Sequence, residues 1–554
     1  MSPYHRHVFR VFISIFILVC FINLFSINAE SDYSKYVKIG LFYGSKSLPI
    51  LSINSANGMN AGFYSDYGFI TVCSETTDSP FLIRKDTYFT ISENGFKEYN
   101  PSSSSIPDGK RLGPYHIKIG GAYQTLEALK VDVINLNAMG IYSFPVYNNE
   151  WQLWSEFYTD EASALDAIEN NYKNIFGEGQ CSVTGPLNNS LVVMDSSGFT
   201  KYIHATDYTS LRIVPSLENN PRIINIDDVN YRGEIEIRRF SDSDMTIINV
   251  LDVEQYLYGV VPYEMGTGSP EEALKAQAVT ARTYTYNNFN KYSKWGFNLC
   301  NTTSCQVYKG YDGECADTNK AVDDTAGELV MYEGECAQVF YFSSSGGMTE
   351  NCENVWSAKL PYLVSVEDNY ESGNSYNYNW EQTITASKIN SIMNSRGFDL
   401  GRILSMQATK YTPAGRVLEL CITGTKDSRT YERGGCRTVF SLPSQWYKIF
   451  TDSDVFVKKD EETATRTQTG HMKVVTANGV QDMPMDKDIS IKGADDNTKT
   501  IPATPTSYTL TGRGWGHAIG MSQEGAKGMA LNGFTYKYIL THYFTGTTVE
   551  KVIQ

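Results

Sequence analysis

The sequence predicts an α+β protein of several domains. Alternating apolar and polar stretches such as VKIGLFYGS, GEIEIRRF and MTIINVL read as strands. Helical apolar spacing recurs at Leu126–Met139 and in the run ALKAQAVTARTYTY that begins at Ala273. The length, 554 residues, exceeds one ordinary domain and argues for about three or four.

At the N-terminus, His5, Arg6, His7 and Arg10 form a positive region ahead of the apolar run Val11–Ile27. Ala29 offers a small residue at a cleavage point, so residues 1–29 read as a secretory signal peptide. The rival is an uncleaved anchor, because the apolar run is close to the shortest that spans a bilayer. Cys20 follows Val19 rather than a small residue, which argues against a lipoprotein site. Either way the rest of the chain is expected outside the cytoplasm, with membrane contact only through this segment.

Residues 36–108 alternate apolar and polar and are punctuated by Gly, Ser and Asn, the pattern of a small β module ending in the linker PSSSSIP. Residues 112–183 read as strand YHIKIGGAY, helix Leu126–Met139, strands SFPVY and WQLWSEFY, and a helix over Ala162–Tyr172. This order resembles a SPOR-like domain, a family that binds peptidoglycan glycan strands. The resemblance makes Tyr123, Trp151 and Trp154 candidates for a sugar-binding face. Trp151 and Trp154 point to opposite faces of their strand, so at least one of them is expected in the core.

From Ile223 the chain is strand-rich and then reaches LDVEQYLYGVVPYEMGTGSPEEALKAQAVTARTYTY. Ser269 reads as an N-cap, Pro270 as the first helical residue and Glu272 as the partner of a capping box. The small residues of this helix predict close packing. Glu264 stands just before it, placed for a shifted pKa and acid–base work. Residues 458–504 are polar and predict an exposed insertion.

VVPYEM and EALKAQAVTARTY resemble the SpoIID/LytB (stage II sporulation protein D) family. VFYFSSSGGMTENCENVWSAKLPYLVSV and GRGWGHAIGMSQEGAKGMALNGFTYKYILTHYFTG resemble it too, in the same order, over residues 223–554. The resemblance implies a peptidoglycan lytic transglycosylase with Glu264 as its acid. Arg282 would assist electrostatically, and Lys275, Gln277, Ser344, Ser345, His517, Ser522 and Gln523 would line the cleft. Lys275 and Arg282 share a helix face, whereas Gln277 lies about 200° from Lys275, so it is also a candidate for tying down the Glu264 loop. A non-catalytic wall-binding protein that enhances an autolysin amidase is the alternative the family name carries.

Cys300 and Cys305, in LCNTTSCQVYKG, match a position where family members bind zinc. No histidine lies between Tyr286 and Tyr308, and two cysteines leave a zinc site short of ligands. A local disulfide suits an exported chain, so both states stay open here. No cofactor is required by the reaction. The net charge of −15 argues against a nucleic-acid partner, which calls for a basic stripe. No HExxH-like set supports a zinc amidase.

Overall fold

Two large sheets account for most of the expected strands. We describe the protein from a computed structural model covering residues 33–376, 378–458, 464–468, 472–482, 487–492 and 497–553. The expected signal segment 1–29 lies outside the described residues. No helix among the described residues is long and apolar enough to cross a membrane.

The first sheet has seven strands, in the order Leu299–Cys300, Tyr36–Phe42, Asp244–Asp252, Glu234–Phe240, Leu211–Pro215, Met59–Ser65 and Gly68–Glu75. The second has ten, in the order Cys181–Thr184, Tyr115–Tyr123, Trp151–Tyr158, Ser143–Tyr147, Thr200–His204, Leu191–Met194, Phe81–Lys85, Ile50–Asn54, Ile223–Ile226 and Val229–Arg232. The first four of these ten, with α1 (Leu126–Ala138) and α2 (Glu161–Ala167), have the expected βαββαβ order. Thr125 caps α1 and Asp160 caps α2, each accepting a backbone N–H from the first turn.

Backbone pairing crosses the expected boundaries at 108, 183 and 223. Val146 pairs with Ile203, Leu191 with Lys85, Asn225 with Asn54 and Ile39 with Leu299. A buried polar cluster adds to the join: His116 Nε2 and Ser190 Oγ meet Asp86 Oδ2 at 2.9 and 3.2 Å. The described residues from Val37 onward form one compact unit.

This continuity corrects one sugar-face candidate. Trp154 is 1 % exposed and packs with Phe89, Leu112, Phe144 and Phe157, its indole N–H donating to Gln152 Oε1 at 2.8 Å. Its face of the sheet is covered by residues of the preceding module, so it cannot reach a glycan. Trp151 is half-buried against Tyr147 and Phe63, with ring centroids 4.9 and 6.0 Å away. Tyr123, its cross-strand neighbour, is half-buried and donates its hydroxyl to Asp132 at 2.7 Å.

Five helices surround or follow the first sheet's return: α3 (Val253–Tyr258), α4 (Val261–Glu264), α5 (Glu271–Asn287), α6 (Ala316–Asp324) and, later, α7 (Ala386–Ser395). The last belongs to a section with its own core, built on the sheet Asn379–Thr385, Ser507–Arg513 and Tyr447–Thr451 and on the sheet Ile403–Tyr411, Val417–Gly424 and Ser428–Glu432. The expected insertion 458–504 contains hairpins, and its described residues are mostly exposed. The chain closes with α8 (Gln523–Leu531) and α9 (Tyr536–Tyr543), whose apolar faces rejoin the core around α5.

Candidate active site

The helix α5 is buried along almost its whole length, from Ala273 to Thr285. Its alanines and threonines let α8 and α9 approach closely, and the threonine hydroxyls turn back onto carbonyls one turn earlier. The expected capping box does not form. Pro270 occupies the N-cap, Ser269 Oγ donates to Met265 O at 2.9 Å, and Glu272 Oε2 accepts the Tyr536 N–H at 2.6 Å. Tertiary contact with α9 outcompetes the local cap.

Glu264 ends α4, with Val260, Val261 and Met265 buried around it. Its Oε1 accepts the Val307 N–H at 2.8 Å. The polar ends of Tyr341 and Gln523 also approach its carboxyl group and act to lower its pKa. Burial raises the Glu264 pKa, and these contacts only partly offset the rise. The Tyr341 hydroxyl reaches Gln306 Oε1 at 3.2 Å, while Gln306 Nε2 donates to Tyr256 and Thr285. Burial, followed by the Glu264 charge, drives the Tyr341 pKa well above its usual value, so this phenol keeps its proton.

Gln523 is delivered by the parallel pairing of Tyr341–Phe342 with Met521–Ser522. Its Nε2 donates to Gln277 Oε1 at 3.3 Å. Gln277 Nε2 is buried without a hydrogen-bond partner. Gln277 therefore acts on the acid through Gln523, in keeping with the tying role its helix angle allows.

Ser344, Ser345 and Ser522 gather around two further acids. Ser344 Oγ donates to Glu371 Oε1, and Ser345 Oγ and the Gly346 N–H reach Glu371 Oε2 at 3.1 and 3.0 Å. Asp368 Oδ1 accepts the Tyr543 hydroxyl at 2.9 Å, while its Oδ2 is buried without a hydrogen-bond partner. Ser522 caps α8 through the Gly525 N–H at 3.1 Å. A Cβ on Gly525 would lie 2.2 Å from Asp368 Oδ1, so only glycine permits this approach. Burial raises both acids' pKa values, and the Asp368 charge adds to the rise at Glu371.

Three expected site residues lie elsewhere. Arg282 is 0 % exposed and forks onto Glu254 at 2.8 and 2.6 Å, with Val322 O and Glu328 O as further acceptors. It ties α5 to α3 and α6 and does not meet Glu264. Lys275 pairs with Glu271 at 2.8 Å and Asp324 at 3.2 Å, an ion-pair position between α5 and α6 rather than a place in the cleft. His517 Nδ1 accepts the Ile519 N–H at 3.1 Å among the rings of Phe340, Phe342 and Trp356. Burial lowers its pKa to about 3, so it is a neutral packing group.

The Cys300 and Cys305 sulfurs are 3.1 Å apart. The hydrogen bond between them draws the Cys300 pKa down and pushes that of Cys305 up. Among the described residues no group of three or more His, Cys, Asp or Glu side chains is placed to hold a metal. Zinc does not fit these two sulfurs alone. The loop still bears on the site, because Gln306 and Val307 follow it directly.

Sequence reading missed Tyr341, Gln306, Asp368, Glu371 and the Val307 N–H. Tyr341 lies inside the VFYFSSSGG block and Asp368 two residues beyond VSV, so proximity to a family block was an available signal. A backbone N–H leaves none.

The fold and site describe an α+β protein in which one buried acid is held between a small-residue helix and two returning segments. Residues 241–332 match the stage II sporulation protein family, SpoIID, and residues 329–468 match a domain of unknown function, DUF8618. The chain is 31% identical over 356 residues to an amidase enhancer of Bacillus subtilis (strain 168), covering 61% of this chain and 47% of that protein. It therefore spans about half the length of that relative. It is 26% identical over 333 residues to stage II sporulation protein D of the same organism, covering 57% of this chain and 79% of that protein. An uncharacterized protein of Brachyspira hyodysenteriae is 29% identical over 325 residues, covering 58% and 73%. Residues 241–332 thus carry a SpoIID-family match, and through this region the chain is similar to proteins of the SpoIID/LytB family.

Proposed function

We propose that the protein is a peptidoglycan lytic transglycosylase, cleaving the β-1,4 bond between N-acetylmuramic acid and N-acetylglucosamine outside the cytoplasm during cell-wall remodelling, sporulation included. The observation that carries the reading is the Glu264 carboxyl group, whose burial keeps it protonated above the usual carboxylic range while the Val307 N–H holds its Oε1. Protonated Glu264 gives its proton to the glycosidic oxygen as the C1–O bond breaks. The resulting carboxylate takes the proton of the sugar's own C6 hydroxyl, whose oxygen closes onto C1 to make the 1,6-anhydro ring. Glu264 ends protonated, and neither water nor a second catalytic carboxylate is consumed.

Digestion of purified wall glycan tests this. Anhydro-muramic ends seen by mass spectrometry, and lost in Glu264→Gln, are expected. Their absence with active-folded protein would overturn the reading. The segment 112–183 would help hold the glycan, with Tyr123 and Trp151 as its remaining aromatic candidates.

A second reading is favoured by one relative's name, amidase enhancer. Here the chain binds wall and raises the activity of an autolysin amidase. In that case Glu264→Gln would stimulate amide cleavage as well as the parent protein does.

A further inference from the structure

Beyond the strand Tyr36–Phe42, the residues Tyr43–Lys46 form one wall of a groove of 870 Å3. That volume falls in the roughly 300–1,000 Å3 range of ligand sites. Trp295 and Thr302 form a second wall, and Tyr263 and Lys309 a third. Tyr263 immediately precedes Glu264. Tyr308 and Lys309 follow Val307, whose N–H holds the acid. Glu264 itself does not line the groove, but chain neighbours of the acid and of the N–H that holds it do.

Its aromatic rings are braced rather than loose. Trp295 Nε1 donates to Asp242 Oδ1 at 2.8 Å, and the Tyr43 ring stands 5.3 Å from that of Trp295. Tyr263 is 38% exposed. A Cβ on Gly313 would come within 2.1 Å of the Tyr263 hydroxyl, so glycine is needed for the ring to lie there. Lys309 is exposed, its Nζ 5.0 Å from the Tyr263 ring centre. Asp312 is already engaged by the Asn230 backbone and side-chain N–H groups at 3.1 and 2.7 Å.

We propose that this groove is a sugar subsite beside the scissile bond, in which Trp295, Tyr43 and Tyr263 pack on a hexosamine ring and Lys309 receives a muramyl carboxylate. Flat amphipathic rings offer a sugar an apolar face and a polar edge. The cation separates muramyl from glucosaminyl units, since only the former bears an acid, either its lactyl group or that of an attached stem peptide. Tyr43 lies outside the region matched at 241–332, so this wall is supplied by the chain's own N-terminal section. The inference rests on reading Glu264 as a glycan-cleaving acid.

The test is equilibrium binding to the full-length Glu264→Gln protein, which removes turnover from the readout. Three probes are used: a neutral N-acetylglucosamine oligomer, and muramyl–glucosaminyl oligomers with and without stem peptides. Trp295→Ala should weaken all three about tenfold, and Trp295→Phe much less. Lys309→Gln, an exposed change that spares the fold, should weaken only the muramyl probes, and whichever loses more identifies the acid recognised. With Glu264 intact, Lys309→Gln should raise KM on glycan and leave kcat. Binding unchanged in Trp295→Ala and Lys309→Gln, or no binding by the parent, overturns the subsite. If wild-type protein releases anhydro ends while these variants are silent, the subsite alone fails. If the variants lose binding but wild-type protein releases no such ends, the catalytic reading alone fails.

Discussion

The Val307 backbone N–H donates to Glu264 Oε1 at 2.8 Å, joining the acid to a segment 43 residues downstream. That segment follows Cys305 directly and continues into the groove at Tyr308 and Lys309. One short segment, residues 305–309, thus carries the second cysteine, the N–H that holds the acid and part of the groove.

Glu264→Gln should lower glycan cleavage at least about a hundredfold, the usual scale for losing a general acid. The melting temperature should not fall, since the amide keeps the Val307 bond and loses a buried ionisable group. In wild-type protein the rate should fall as pH rises through the raised Glu264 pKa, because the proton to be donated is then gone. A pH–kcat profile with no fall on the alkaline side would contradict this.

Arg282→Ala should cost about 3 kcal/mol of stability, because it removes the buried cation paired with Glu254 and a donor from each of Val322 O and Glu328 O. Denaturant midpoints measure it. Below its lowered melting point the variant should cleave at near wild-type kcat. A collapse of kcat in well-folded protein would return Arg282 to the reaction.

The buried acids Asp368 and Glu371 should make stability fall as pH rises. Their folded pKa values are raised by burial, so the native state holds protons that the unfolded chain releases at about pH 4. Their stabilising contribution is full below that pH and is lost as pH climbs through the folded values. The double variant Asp368→Asn, Glu371→Gln should show a shallower decline in denaturant midpoint between about pH 4 and pH 8. An unchanged slope would mean these acids do not hold their protons.

Mild oxidation should join Cys300 to Cys305, read as the loss of two hydrogens by mass spectrometry and blocked in Cys305→Ser. Sulfurs 3.1 Å apart need only a small approach to bond. Protein prepared without chelator should carry no stoichiometric zinc. One zinc per chain, lost in Cys305→Ser, would show that ligands outside the described groups complete a site.

Trp154→Ala should destabilise the protein by about 3–5 kcal/mol, the scale of emptying a large core site. Its effect on glycan binding should vanish when measured on the folded fraction. Selective loss of glycan affinity at unchanged stability would place Trp154 on a binding face after all.

Much of this was legible without coordinates. The α+β class, the βαββαβ order of 112–183, the helix after Glu264 and the acid itself follow from short-range periodicity and three family-like blocks. Periodicity reports which residues alternate but not what covers each face. That is why Trp154 read as a sugar platform while residues of the preceding module bury it. The expected boundary at 108 rested on linker composition and that at 223 on the reach of the family resemblance, whereas strand pairing joins Asn54 to Asn225 across both.

The sequence by itself determined the candidate acid and its local helix–turn–helix frame, because those depend on residues within a few turns of one another. Only the tertiary structure decided its partners. Arg282 and Gln277 lie five residues apart on one helix, yet one forks onto Glu254 and the other reaches Gln523. Which neighbour each meets depends on segments brought back from far along the chain, and a buried polar group takes whichever partner the packing supplies.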